Sequence, residues 1–185
     1  MIRKRYCLVL LCAIAFSCSA SEQHAWQAWR EGQALLIMRH ALAPGTGDPA
    51  GFQLDDCQTQ RNLNAQGRAQ ASAWGARVQQ QYSGQIQLYS SQWCRCLETA
   101  HLMAVGKVKP LPILNSFFAG RGSADEQTVA LRQYFSSPKL PQPTIVITHQ
   151  VNITALTGVF PQSAEGIFVT LPITTPVTVI ATITP

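Results

Sequence analysis

The sequence predicts an α/β fold, a three-layer α/β/α sandwich whose mostly parallel sheet closes with a C-terminal antiparallel strand pair. Three observations predict it. Residues 34–38 form an unbroken apolar run that ends abruptly in Arg39 and His40, and residues 144–148 repeat that design before His149. Runs so short and so apolar fit strands buried on both faces of a parallel sheet, with helices on either side. Residues 166–171 and 177–183 then read as two strands split by Pro172 and Pro176, with no room for a crossover helix, so they pair antiparallel.

The 185 residues suffice for one domain with a sizeable core, and the 46% apolar content is that of a globular chain. The first twenty residues read differently. Arg3, Lys4 and Arg5 form a basic start, residues 7–16 an apolar stretch too short to span a bilayer, and residues 17–20 supply small side chains suited to cleavage. Residues 1–20 are therefore expected to be a secretory leader and residues 21–185 the mature domain, secreted or periplasmic. An alternative is a lipid anchor at Cys18, although Phe16 suits such a site poorly.

Loss of the leader changes the charge. Fourteen basic residues lose three, leaving eleven against nine acidic ones, a net charge of about +2. No basic cluster interleaved with aromatics remains, which excludes a nucleic-acid partner. The mature cysteines are Cys57, Cys94 and Cys96. In an oxidising compartment Cys57 is expected to bridge to Cys94 or Cys96; the alternative is three buried thiols.

The elements follow in order. Residues 22–31, with Ala25, Trp26, Ala28 and Trp29, suit a helix ending at Gly32 and lying on the outside of the domain. The first strand leads into a long loop punctuated by Pro44, Gly45, Gly47, Pro49 and Gly51; long loops in compact domains are often functional. Asn64 is an N-cap candidate, and Ala65, Ala69, Ala73 and Ala76, widened by Trp74 and Val78, make a small-residue stripe for packing on the sheet. A strand over residues 86–89 precedes a helix whose core face holds Trp93, Cys96, Leu97, Ala100, Met103 and Ala104, with Arg95 off that face. Residues 110–115 are extended, residues 116–127 are loop, and residues 128–135 are helical with Val129, Leu131 and Phe135 partly buried. The strand ending at His149 runs into a helix over residues 150–156, closed by Gly158.

Three strand-to-helix junctions thus carry Arg39 with His40, Arg95, and His149. Ligands of open α/β sheets bind outside the carboxyl ends of the strands, where these groups converge. Two guanidiniums there suit a dianionic group, because arginine pairs with phosphate oxygens bidentately and keeps its charge. One imidazole is then placed to attack phosphorus and the other to hold the transferred group.

These residues also carry a family resemblance. LIMRHALAP, LNAQGRAQA, LYSSQWCRCLETAHL and VITHQVNITALTG, in that order, resemble the histidine phosphatase superfamily with its phosphoglycerate mutase-like fold. The resemblance implies a metal-independent, cofactor-free phosphatase of small phosphorylated substrates, working through a phosphohistidine. His40 is its nucleophile, while Arg39, Arg95 and His149 bind the phosphoryl group and Thr46 and Arg61 add substrate contacts. Two departures stand out. Ala41 follows the first histidine where many relatives carry glycine, and the places where relatives put a proton-donating carboxyl hold Asn115 and Gln150. Another carboxyl is then needed from a loop: Asp48, Asp55, Asp56, Asp125 or Glu126, with Asp125 and Glu126 preferred because they follow Asn115 most closely. A mutase is disfavoured because the chain lacks the longer insertions of those relatives.

Other readings fit less well. Zinc held by His40, His149 and Asp55 or Asp56 is disfavoured by the adjoining arginines and by the absence of a close-spaced ligand pair. His24 and His101 are expected to be structural or exposed. The non-enzymatic alternative is a phosphate-ester binding protein that lacks efficient turnover.

Overall fold

The computed structural model describes residues 20–185; residues 1–19, with Cys18 and nearly all of the expected leader, lie outside the described residues. Six strands form one sheet in the order β3-β2-β4-β1-β5-β6. They are β1 (Ala34–Arg39), β2 (Gln87–Ser90), β3 (Val108–Pro110), β4 (Thr144–Thr148), β5 (Gly166–Thr170) and β6 (Val179–Ile183). The first four pair in parallel, whereas β5 runs antiparallel to both β1 and β6. The predicted sandwich and its closing antiparallel pair are observed.

The apolar runs have a direct explanation. Successive strand residues point to opposite faces, and here both faces are covered. Ala34, Leu36 and Met38 join one core with Ile145, Ile147 and Phe168, while Leu35 and Ile37 join the other with Val146, Ile167 and Val169. The first core is roofed by a helix over residues 20–30 (α1), by α2 (Ala65–Gln81) and by α3 (Cys94–Met103); the second by α4 (Ala124–Tyr134) and α5 (Gln150–Thr157). Among the described residues, no helix is long and apolar enough to cross a membrane.

Three expectations need correction. Helix α1 is not peripheral: Trp26 and Trp29 are buried, Trp26 packs on Phe168, and the Trp29 indole N–H donates to the carbonyl of Thr144 at 2.8 Å. A tryptophan whose one polar atom finds a partner can be buried whole. The alanine stripe of α2 faces solvent; the buried face holds Gly67, Ala71, Trp74, Gly75 and Val78. Alanine tolerates either face, so the glycines decide the rotation. A Cβ at Gly75 would lie 2.1 Å from the Met103 carbonyl oxygen, so only glycine lets α2 and α3 approach this closely. In α4, which begins four residues earlier than expected, Leu131 and Phe135 are buried but Val129 is 52% exposed.

The bridge is Cys57–Cys94, and Cys96 is a buried free thiol. Cys94 opens α3 and faces the loop that carries Cys57. Cys96 lies on the inner face, with Sγ 3.7 Å from the Thr148 carbonyl, and burial pushes its thiol up to about 12. The bridge closes a separation of 37 residues. Reduction should therefore cost about 2–4 kcal/mol, or roughly 4–15 °C in Tm. The check is thermal melting with and without reductant: the drop should persist in Cys96→Ser and vanish in Cys94→Ser.

Candidate active site

The sheet register assembles the site. His40 N–H donates to the Thr148 carbonyl and Ser91 N–H to the Ile147 carbonyl, so the segments leaving β1, β4 and β2 end in one row. β1 and β2 are not neighbours; β4 lies between them. His149 therefore stands between the His40 segment and the segment that runs into α3 and delivers Arg95 in its first turn. The asymmetry of the sheet thus brings residues 55 and 54 positions apart into contact. Arg95 Nε donates to His40 Nε2 at 3.2 Å, and Arg95 Nη2 lies 3.4 Å from His149 Nδ1.

These contacts settle the imidazole tautomers. His40 Nδ1 lies 2.8 Å from the Ala41 carbonyl, which can only accept, so Nδ1 carries the hydrogen and Nε2 keeps a lone pair in the site. His149 is the reverse: Nε2–H donates to Ser91 Oγ at 2.8 Å, leaving the Nδ1 lone pair toward Arg95. Ser91 in turn donates to Asn115 Oδ1 at 3.2 Å, while Gln92 N–H also donates to that oxygen at 2.9 Å. Burial, followed by Arg95 for His40 and by His40 and Arg95 for His149, holds both histidines well below their ordinary value of 6.5. Both are neutral bases at neutral pH.

The sign of the resulting pH dependence follows. Below pH 6.5 the unfolded chain protonates these imidazoles while the folded chain does not, so stability falls as pH drops from 6.5 toward their lowered values. Each contributes a slope of up to about 1.4 kcal/mol per pH unit. Denaturant melts between pH 7 and pH 5 should give that slope, and His149→Gln should reduce it.

The long loop after His40 folds back over the site. Arg61 Nε donates to the Gly47 carbonyl at 2.8 Å and its Nη1 to the Ala43 carbonyl, so one side chain pins both ends of the turn. Gly45 and Gly47 take φ of +92° and +71°, which favour glycine. Between the turn and the strand ends lies a cavity of about 250 Å³. Arg39, His40, Thr46, Arg61, Arg95 and His149 all line it, so every expected catalytic and substrate-binding residue is brought together. Arg39 donates through Nη1 to the Pro161 carbonyl, while its buried Nε has no partner among the described residues.

The expected proton donors are not there. Asp125 and Glu126 are exposed in the first turn of α4, where negative side chains complement the helix dipole. Asp56 caps a short turn by accepting from Gln58 N–H, and Asp55 is exposed. Asn115 turns away to Ser91 and Gln92, so its place would not have offered an acid to the cavity. Among the described residues, Asp48 is the one carboxylate that lines the cavity. Its side chain is only 5% exposed and pairs with Arg95 through both oxygens, at 2.6 and 3.3 Å. Burial opposes its ionisation, but Arg95 outweighs that and holds the carboxyl below its ordinary value. Among the described residues, no His, Cys, Asp and Glu group has the arrangement of a metal site.

Residues 35–121 match the family model of the histidine phosphatase superfamily, branch 1. The fold is that of the histidine phosphatases. The protein histidine phosphatase SixA, solved with tungstate, is 17% identical with a TM-score of 0.58 over 82% of this chain and 97% of its own. A protein from Thermus thermophilus is 16% identical, with a TM-score of 0.56 over 82% and 99%. A phosphoserine phosphatase of Entamoeba histolytica, solved with 3-phosphoglyceric acid, is 14% identical, with a TM-score of 0.54 over 82% and 97%. No curated protein matches the chain in sequence.

On this histidine phosphatase fold, sequence reasoning missed two groups. Ser91, which orients His149, stands where β2 ends and was open to the same strand-end logic that picked out His40. Phe118, Arg121 and Phe160 form the cavity mouth, and Arg121 lies 4.1 Å over the Phe52 ring. Nothing in their spacing announces that position.

Proposed function

We propose that this protein is an exported phosphatase that hydrolyses small phosphate monoesters through a phosphohistidine at His40, with no metal or organic cofactor. The observation that carries this reading is the His40 Nε2 lone pair, fixed by the Nδ1–H bond to Ala41 and facing a cluster of guanidiniums. Pure binding of an anion needs no neutral nucleophile at its centre.

Charge matching supports the same substrate class. Arg39, Arg61, Arg95 and, at the mouth, Arg121 line the cavity with one carboxylate, Asp48, and two neutral imidazoles, which leaves the site net positive for a phosphoryl dianion. In the first step the Nε2 lone pair forms the P–N bond as the P–O bond to the leaving group breaks with its electron pair. In the second, a water oxygen attacks phosphorus and the P–N pair returns to Nε2. The guanidiniums stabilise the charge on the equatorial oxygens in both steps. The tungstate bound by the structurally similar SixA, an oxyanion shaped like phosphate, is consistent with this reading. Export is supported by the leader-like residues 1–20 and by the Cys57–Cys94 bridge, which persists in an oxidising compartment. The bridge holds the start of α3, and with it Arg95.

Brief exposure to a radiolabelled phosphate ester followed by a denaturing alkaline quench tests the reading. Label that survives alkali and is lost in acid is expected on the mature protein. Phosphate binding with neither label nor turnover would make it a phosphate-ester binding protein of this fold.

A further inference from the structure

We infer that Asp48 is the proton donor of the reaction, released for that role when the substrate's phosphoryl group takes its place on Arg95. The inference rests on the phosphohistidine reading above and names the group that protonates the leaving oxygen.

Three observations carry it. Among the described residues Asp48 is the sole carboxylate of the cavity, so no other side-chain acid of ordinary strength faces a bound ester there. Its partner Arg95 is the same residue whose Nε contacts His40 Nε2, so the guanidinium that holds the carboxylate also stands where a phosphoryl group must sit to be attacked. The carboxyl group is also held independently of Arg95: Trp93 Nε1 donates to Oδ2 at 3.1 Å, and the Arg61 backbone N–H donates to Oδ1 at 3.2 Å. When the guanidinium turns to the phosphoryl oxygens, those two neutral donors keep the carboxyl at the edge of the cavity. The charged groups around it are then Arg95 on α3, Arg61 on the loop, Arg39 on β1 and the incoming phosphoryl group itself.

The proton balance closes. A monoester whose second ionisation lies near pH 6 enters partly as the monoanion. Among the arginines the dianion is favoured, and its proton passes to Asp48, which has just lost its counter-ion. As His40 Nε2 bonds to phosphorus, the P–O electron pair goes to the leaving oxygen, which takes the proton from Asp48 and departs as an alcohol. Water then attacks the phosphohistidine and gives its proton back to the Asp48 carboxylate, while the P–N pair returns to Nε2. Ester and water become alcohol and phosphate, and the enzyme ends with Asp48 protonated until phosphate leaves with that proton and Arg95 reclaims the carboxylate.

Single-turnover formation of the phosphohistidine, measured with 4-nitrophenyl phosphate and with glycerol phosphate, separates proton donation from mere support of Arg95. A nitrophenolate leaves without a proton, whereas an alkoxide does not. In Asp48→Asn the rate with glycerol phosphate should fall roughly 10²–10⁴-fold and that with 4-nitrophenyl phosphate less than about 10-fold, with Asp48→Glu recovering part of the first. Labelling by the nitrophenyl ester also shows that the variant is folded. Equal losses with both esters, or no labelling of Asp48→Asn by either, would make Asp48 a support for Arg95 and overturn the inference. A wild-type protein labelled by neither ester would overturn the phosphohistidine reading first and this one with it.

Discussion

Replacing His40 by alanine should abolish the phosphoenzyme and lower turnover roughly 10³–10⁶-fold, the scale expected when a covalent nucleophile is removed. The cause is specific to Nε2. His149 is the other imidazole in the cavity, with ring centroids 5.5 Å apart, but its Nε2–H is committed to Ser91 and its free lone pair faces Arg95. In that tautomer it accepts from Arg95 and has no N–H left for a phosphoryl oxygen, so its part is to orient that guanidinium rather than to replace the nucleophile. Phosphate binding should survive in His40→Ala, because Arg39, Arg61 and Arg95 remain. Isothermal titration with inorganic phosphate alongside the alkaline-quench labelling assay checks both parts; label persisting in His40→Ala would transfer the nucleophilic role to His149.

Arg95→Met should be the most damaging single change to activity and stability together. Arg95 and Asp48 are 4% and 5% exposed at their side chains, so the substitution strands a buried carboxylate. Breaking such a pair from one side costs about 3–5 kcal/mol, or roughly 6–20 °C in Tm. Loss of a guanidinium that faces the transferred group adds roughly 10²–10³-fold in kcat. The double variant Arg95→Met with Asp48→Asn should recover most of the stability, because the stranded charge is gone, and none of the activity. Thermal melts of the two single variants and the double variant decide it; recovery of turnover along with Tm would mean that Arg95 acts only as a counter-ion.

Both expectations rest on residues that were legible before any coordinates. Arg39, His40, Arg95 and His149 each follow an apolar run or open the helix after one, and the hydrophobic pattern alone delivers such residues to the carboxyl edge of a sheet. The helices were less legible. The alanines of α2 read as a packing stripe, yet Gly67 and Gly75 set the contact, because close approach depends on a missing Cβ and not on the abundance of small side chains. Trp26 and Trp29 read as a peripheral helix because their burial depends on Phe168 and Thr144, over a hundred residues away. The preference for Asp125 and Glu126 failed for a similar reason: nearness in sequence to Asn115 does not bring a residue into the cavity, and no residue of α4 lines it.

What the sequence by itself determined was the set of local choices: strands buried on two faces, helices between them, and histidines and arginines where the strands stop. These follow from side-chain periodicity and from the length of each apolar run. Only the tertiary structure decided which groups pair. The interposition of β4 between β1 and β2 sets His149 against Arg95, the rotation of α3 chooses Cys94 over Cys96 for the bridge to Cys57, and the fold of one glycine-rich loop lays Asp48 on Arg95. Each of those pairings joins segments distant along the chain, and their geometry is set by how whole elements pack, which no local pattern encodes.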